Sequence, residues 1–182
     1  MSEFISIEVI TKDGQKIIIR KPDISDAGKM IEYLNIVGGE SDNLLFGKDE
    51  FHLTVEQEME HIKNMNQNTN GLMIIGCIGG KIVSVAQISG QGRKRIAHNS
   101  EVAISVKKEY WGNGIGSAMM SALIHFAKQT DKIKNISLGV KASNINAMSL
   151  YEKMGFVKVG VHKNFFCVDG SFDDEILMDL SI

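Results

Sequence analysis

Three glycines at alternate positions, Gly112, Gly114 and Gly116, stand between a strand-like run and a helical pattern, and this junction constrains the fold most. Residues 102–106 are rich in β-branched side chains, and residues 115–126 carry apolar side chains at helical spacing. Because glycine has no Cβ, it reaches positive φ and lets a ligand approach the backbone. Unpaired N–H groups at a helix start attract anions. The junction therefore predicts a phosphate-binding site. The alternative is a Gly-rich turn that binds no ligand.

The spacing of these glycines excludes two common nucleotide sites. A dinucleotide fingerprint needs Gly-x-Gly-x-x-Gly and an acidic residue about 20 positions later. A P-loop needs the sequence Gly-Lys-Ser or Gly-Lys-Thr at its second glycine, and that sequence is absent here. Neither a Rossmann-type site nor a nucleotide hydrolase is predicted.

A second motif occupies residues 144–156. Asn144 is suited to cap a helix, and Gly155 is suited to end one in the left-handed conformation. Asn144, Ala147 and Tyr151 are three and four positions apart, so they should share one stripe of that helix. The residues expected to face the core are Ile145, Leu150 and Met154.

Together the two motifs resemble those of the GNAT superfamily of acyl-CoA-dependent N-acetyltransferases. The first family loop reads Gln/Arg-x-x-Gly-x-Gly/Ala after a strand ending in Val, and Gly114, Gly116 and Val106 stand at those positions. Trp111 departs from the pattern, since it occupies the place of Gln or Arg. The second motif is similar to Asn-x-x-Ala-x-x-x-Tyr-x-x-x-Gly-Phe of the family. The order of elements matches over nearly the whole chain.

The resemblance implies that acetyl-CoA, as acyl donor substrate, passes its acetyl group directly to a primary amine in a ternary complex, without a metal. It implies Tyr151 as the acid facing the sulfur and Glu101 as the base, acting directly or through water. A packing tyrosine and a strand-surface carboxylate are the alternatives, and His98 and Ser105 are alternative bases. The implied coenzyme A contacts are Ile104, Ser105, Val106, Trp111, Gly112, Asn113, Gly114, Ile115, Gly116, Ser117, Asn144, Ala147 and Tyr151.

Two functional classes fit this resemblance. One is an acetyl-CoA-dependent N-acetyltransferase, and the other is a non-catalytic acyl-CoA-binding or regulatory module on the same fold. Both predict coenzyme A binding, and only the first predicts turnover. The presence of Tyr151 and Glu101 together favours the enzyme. The acceptor amine stays open among a protein N-terminus, an amino acid, a polyamine and an aminoglycoside.

The composition of the chain limits its possible domain number, binding partners and cellular compartment. A chain of 182 residues suits one domain, residues 1–182. Its net charge of −2 gives no electrostatic case for nucleic acid or an anionic membrane, and no apolar run approaches the roughly 20 residues of a membrane span. Cys77 and Cys167 lie in apolar runs, so the reducing cytoplasm is the expected compartment. No Cys or His cluster has the spacing of metal ligands.

The remaining patterns predict an α+β fold, namely a mixed, mostly antiparallel sheet of about seven strands with helices on both faces. The expected hairpins are residues 4–11 with 16–20 through a two-residue Asp-Gly turn, 72–78 with 81–88, and 156–168 with 175–180. The central strand covers residues 96–106, and residues 135–140 form a parallel neighbour. Exposed final strands favour a homodimer.

Two helices are predicted before the central strand. The first begins at Asp23 or Ser25 and ends at Gly38. The second opens on the capping box Thr54-Val55-Glu56-Gln57. Its expected core-facing residues are Val55, Met59, Ile62 and Met65. The acidic stretch between them, residues 40–53, is interpreted as a solvated surface in preference to a wall of the substrate site.

Overall fold

The computed structural model describes Phe4 and residues 6–182. Eight strands form one sheet in the order β1-β2-β3-β4-β5-β6-β8-β7. The strands are β1 Ile7–Ile10, β2 Lys16–Arg20, β3 Gly71–Ile78, β4 Lys81–Gly90, β5 Asn99–Val106, β6 Asn135–Lys141, β7 Val157–Val168 and β8 Ser171–Ser181. The helices are α1 Ala27–Gly38, α2 Val55–Gln67, α3 Ile115–Gln129 and α4 Ile145–Lys153. The mixed α+β architecture is confirmed.

The sheet is antiparallel except where β5 meets β6, the one parallel pair among the described strands. It has eight strands where about seven were expected, and the short strand β1 forms one edge, where it pairs only with β2. The crossover from β5 to β6 passes through α3, as expected for a parallel neighbour. At the other edge, β7 exposes apolar side chains such as Val157 and Val159. A homodimer through these final strands stays a prediction.

Two of the three predicted hairpin turns are confirmed as two-residue turns, Gly79-Gly80 and Asp169-Gly170, with positive φ at all four positions. The prediction of a two-residue Asp-Gly turn in the first hairpin is wrong. The Thr11 N–H donates to the Gln15 carbonyl at 2.8 Å, and the Gln15 N–H donates to Thr11 Oγ1 at 2.9 Å. The side chain of Thr11 thus helps to close a longer loop over residues 12–14, of which Lys12 is the first residue.

Helices cover both faces of the sheet. One core lies between the sheet and α3 with α4, and includes Met119, Leu123 and Tyr151. The other lies under α1 and α2, and includes Met30, Tyr33 and Ile62. The expectation that Ile145 faces the core is wrong, since its side chain is 63% exposed. As the first residue of α4 it lies beyond the buried face, which is formed by Met148 and Tyr151.

Helix α2 begins with the predicted capping box at Thr54 and Gln57. Its inward face is rotated from the predicted one. Ile62 is buried and Met65 is partly buried, whereas Val55 and Met59 are exposed. Glu58 takes the inward position one turn before Ile62, because residues four apart lie on one helix face.

The carboxyl of Glu58 is buried, and its Oε2 has no hydrogen-bond partner among the residues that the structure describes. Burial raises the pKa of Glu58 from 4.5 to about 7. A carboxyl with a higher pKa in the folded state contributes stability that is fully present below the unfolded pKa of 4.5 and is lost as the pH rises through 7.

We therefore expect the free energy of unfolding to fall by roughly 2 kcal/mol between about pH 5 and pH 8 through Glu58. Glu58→Gln should remove that dependence and stabilise the protein at the upper end of the range. Urea unfolding at several pH values measures it. Glu60→Gln, on the exposed side of the same helix, is the matched control. An unchanged slope in Glu58→Gln would assign the pH dependence elsewhere.

Candidate active site

Strands β5 and β6 separate partway along their length. They pair at Asn99 with Asn135, at Ser100 with Ile136 and at Glu101 with Ser137, and no further. The remainder of each strand, residues 102–106 and 138–141, turns away from the other. Because separated strands leave unpaired backbone groups and a gap, a cleft opens at the centre of the sheet. The cavity there has a volume of about 870 Å³.

The glycine loop lies at one end of this cavity. Gly112 and Gly114 have φ of 80° and 85°, which is the left-handed region. Within the described part of the chain, no backbone N–H from position 112 to 117 donates a hydrogen bond to a backbone or side-chain acceptor. These donors are followed by the positive end of the 15-residue helix α3. The arrangement is suited to bind an anion such as a pyrophosphate group.

Trp111 does not supply the positive charge that the family pattern has at its position. Its indole N–H donates to the Val106 carbonyl at 2.7 Å, so that carbonyl is occupied. A cation comes instead from the first hairpin. The Lys12 N–H donates to the Asn113 carbonyl at 3.1 Å, and Lys12 lines the cavity. Its Cγ lies 4.0 Å from a Cβ built at Gly114. No local signal in the sequence predicts this contact, since about 100 residues separate the two partners.

Helix α4 forms the second wall. Asn144 caps it, because its Oδ1 accepts from the Ala147 N–H at 3.2 Å. Tyr151 is 8% exposed and lines the cavity, with its ring 5.9 Å from that of Phe156. Its hydroxyl makes no hydrogen bond to the described residues, and burial raises the pKa of Tyr151 to about 12. The phenol is therefore protonated at neutral pH and can donate.

The alternative bases are placed differently. Glu101 is exposed and lines the cavity at the point where the strands separate. Ser105 also lines it, but its Oγ lies 3.0 Å from the Tyr33 hydroxyl. His98 does not line the cavity, and its carbonyl accepts from the Lys134 N–H at 2.8 Å. Of the predicted coenzyme A contacts, Asn113 alone does not line the cavity, because it faces the first hairpin, whereas Tyr151 and Glu101 both line it.

Of the acidic stretch at residues 40–53, only its first part forms cavity wall, and the interpretation as a solvated surface is wrong for Glu40 alone among the acidic residues. Asp42, Asp49 and Glu50 are exposed and do not line the cavity. Glu40 lines the cavity, and its Oε2 accepts from the Lys108 N–H at 2.8 Å. Leu44 and Leu45 line it as well. Glu50 lies outside the cavity wall and accepts from the Gly47 N–H at 2.8 Å.

Sequence reasoning missed the residues that β6, β7 and β8 contribute to the cavity. These are Leu138, Gly139, Val140, Phe166 and Glu175. Glu175 is 8% exposed, and its Oε2 lies 2.8 Å from His162 Nδ1. Its position as the first residue of a predicted strand carried no functional signal, because the partner elements of that strand decide where its side chain lies.

The model of the Acetyltransferase (GNAT) family matches residues 43–156, which include the glycine loop and the α4 motif. The chain belongs to this family. An acetyltransferase of the GNAT family from Streptococcus pneumoniae has 29% sequence identity and a TM-score of 0.88, over 91% of this chain and 99% of that one. At 16% identity and a TM-score of 0.78, yncA from Salmonella typhimurium, determined with its cofactor acetyl-CoA, shares the fold over 91% of this chain and 93% of its own.

Curated relatives of this GNAT chain are N-acetyltransferases. The L-amino acid N-acetyltransferase AaaT of Escherichia coli is 29% identical over 58% of this chain and 65% of its own length. The N-alpha-acetyltransferase RimI of Mycobacterium tuberculosis is 32% identical over 51% of this chain and 56% of its own. The matches thus span a little over half of each relative. In the part of the chain that the structure describes, no helix is long and apolar enough to cross a membrane.

Proposed function

We propose that this GNAT protein transfers the acetyl group of acetyl-CoA to a primary amine by direct attack in a ternary complex. The observation that carries this is the shared cavity. Tyr151, whose phenol is protonated at neutral pH, and Glu101 both line it, together with the glycine loop at the start of α3, and this supports the proposal. Because β1, β2, β7 and β8 complete the same sheet, we treat residues 1–182 as one N-acetyltransferase domain.

The donor fits the cavity from its phosphate end. The free N–H groups of the loop suit the pyrophosphate, and Lys12 adds a positive charge beside them. Asn144 and Ala147 on α4 provide the facing wall. Unpaired backbone groups near Ile104 are available to the pantetheine arm, because β5 has lost its partner β6 there.

Acetyl transfer to an amine needs a base for the amine, an acid for the leaving thiolate, and alignment of the amine with the thioester. An amine attacks only when it has lost a proton, and Glu101 is proposed to receive that proton directly or through water. The thiolate leaves more easily when it is protonated, and the Tyr151 hydroxyl is proposed as that acid. Holding donor and amine in one cavity supplies the alignment.

The acceptor is proposed to be a small-molecule or peptide amine. The name of AaaT points to L-amino acids as acceptors, and the name of RimI points to an alpha-amino nitrogen. An acceptor screen should therefore begin with amino acids and short peptides, and follow the release of free thiol from acetyl-CoA.

We expect acetyl-CoA to stabilise the protein against heat. At a free ligand concentration about 100 times Kd, the gain in unfolding free energy should be roughly 2.7 kcal/mol. Thermal unfolding with acetyl-CoA, NAD and ATP in parallel measures this. Stabilisation by NAD or ATP without any by acetyl-CoA would contradict the proposal. Binding without turnover of any amine would favour a non-catalytic acyl-CoA-binding module.

A further inference from the structure

The carboxylate of Glu175 lies in the cavity over β6, where β6 has separated from β5. Its register partner on β6 is Lys141, and it leans toward Gly139, two residues away on the same face. A Cβ built at Gly139 would lie 2.6 Å from the Glu175 Cδ. Any larger residue at position 139 would displace this carboxylate, so glycine there leaves the space that Glu175 fills.

Glu175 and Glu101 lie on the same face of the sheet. Glu101 pairs with Ser137, which shares its face with Gly139 because successive side chains alternate. The other face of β6, with Ile136 and Leu138, packs in the core with α3. The proposed phosphate-binding site lies at the start of α3, so the donor would enter from the α3 face of the sheet. Both carboxylates lie on the opposite face, which is the side that an acceptor would use.

One oxygen of Glu175 is held in place and the other is free. Oε2 lies 2.8 Å from His162 Nδ1, and the His162 ring stacks on Phe165 with centroids 5.6 Å apart. Because an ionised carboxylate can only accept, the His162 Nδ1–H is the donor when Glu175 is charged. Oε1 makes no hydrogen bond to any residue for which the structure gives a position.

A carboxylate this buried is costly to keep charged unless donors replace the lost water. The half-exposed imidazole supplies one donor. Among the described lysines and arginines, none forms an ion pair with Glu175, and that includes its register partner Lys141. An ammonium group carries three N–H donors and a positive charge, so it supplies what Oε1 lacks.

We propose that Glu175, oriented by His162, binds the ammonium group of a cationic acceptor amine and makes the enzyme specific for that charge. This rests on the proposed function, because the acceptor reacts in the same cavity. The ammonium then gives one proton to the carboxylate of Glu101 and becomes the neutral amine that attacks the thioester. Glu175 is thus a binding residue, and Glu101 remains the base.

Butylammonium, with butanol as the neutral probe of the same shape, tests this directly on the full chain. The His162 ring signals in NMR should shift saturably with millimolar butylammonium and not with butanol. Glu175→Gln should weaken that binding at least about 10-fold, since a charged acceptor is lost. Glu152→Gln, an exposed carboxylate outside the cavity, is the matched control. Equal shifts with butanol, or unchanged affinity in Glu175→Gln, would overturn the proposal.

Kinetics with the best amine from the acceptor screen give a second test. Glu175→Gln should raise the KM for the amine roughly 10- to 100-fold and leave the KM for acetyl-CoA unchanged, because the site is remote from the phosphates. His162→Phe, which keeps the stacking on Phe165, should raise the amine KM by a smaller factor. This second variant tests the proposal even if Glu175→Gln fails to fold. A lowered kcat with an unchanged amine KM would overturn it.

The two proposals fail in different ways. A protein that binds butylammonium through Glu175 but neither binds nor turns over acetyl-CoA contradicts the proposed function and keeps the ammonium site. A protein that acetylates amines equally well with Glu175→Gln contradicts the ammonium site and keeps the proposed function.

Discussion

Replacing Tyr151 by Phe should lower kcat roughly 10²- to 10⁴-fold while the affinity for acetyl-CoA changes little, as expected for a lost general acid. The substitution keeps the ring that packs against Phe156 in the core and removes only the hydroxyl. That hydroxyl makes no hydrogen bond to the described residues, so its loss should cost little stability. An effect on kcat without an effect on binding marks an interaction made in the transition state.

The measurement is single-turnover and steady-state kinetics at saturating acetyl-CoA, with an amine from the acceptor screen. Tyr110→Phe is the matched control, because Tyr110 also lines the cavity and also loses only a hydroxyl. With a pKa of about 12, Tyr151 stays protonated at about pH 9, so the wild-type rate should not decline there for want of this proton. Wild-type turnover in Tyr151→Phe would remove the phenol from the mechanism.

Replacing Gly114 by Val should abolish acetyl-CoA binding at millimolar concentration. Gly114 has φ of 85°, which a β-branched residue resists at a cost of roughly 1–2 kcal/mol. The new side chain would also stand beside the N–H groups of the loop and block the approach of phosphate. Acetyl-CoA binding should therefore be weakened both by the distorted loop conformation and by the side chain that occupies the phosphate-binding site.

The matched control is Gly170→Val in the β7–β8 turn. Gly170 has φ of 78° and no neighbour within 4 Å of a built Cβ, so it carries the same backbone penalty away from the cavity. Both variants should lose similar stability in thermal unfolding, whereas only Gly114→Val should lose the stabilisation by acetyl-CoA. Retained affinity in a folded Gly114→Val would mean that the loop is a plain turn.

Most elements of the fold could be predicted from local signals in the sequence. Gly79-Gly80 forms the expected turn, the Thr54 capping box starts α2, and Asn144 caps α4. Each of these depends on residues a few positions apart, so the chain carries the information in one place. Where a contact between residues distant in the sequence determines the orientation of an element, the prediction from local signals failed. The rotation of α2 buries Glu58 in place of Met59, because packing against α1 and the sheet outweighs the polar character of one residue.

The candidate site likewise has parts that local motifs predict and parts that depend on long-range contacts. The glycine loop and the α4 stripe follow from two local motifs, and the structure brings them together in one cavity. The separation of β5 from β6 could not be predicted, because it depends on where two strands stop pairing. Lys12 and Glu175 were missed for a related reason. Their places depend on a hairpin that reaches Asn113 and on the register of β8 with β6.

The family match ends at residue 156 and begins at residue 43, yet both ends of the chain reach the cavity. Lys12, from the amino-terminal flank, lines the cavity beside the glycine loop, while Phe166 and Glu175 from the carboxyl-terminal flank line it as well. The matched middle thus contains the glycine loop and the α4 motif, and the two flanks add further residues to the same cavity. If Glu175 binds the acceptor, differences in acceptor choice between this chain and its relatives are expected to map to substitutions after residue 156. Exchanging the segment after residue 156 between relatives should then transfer preference for an amine without altering the use of the donor.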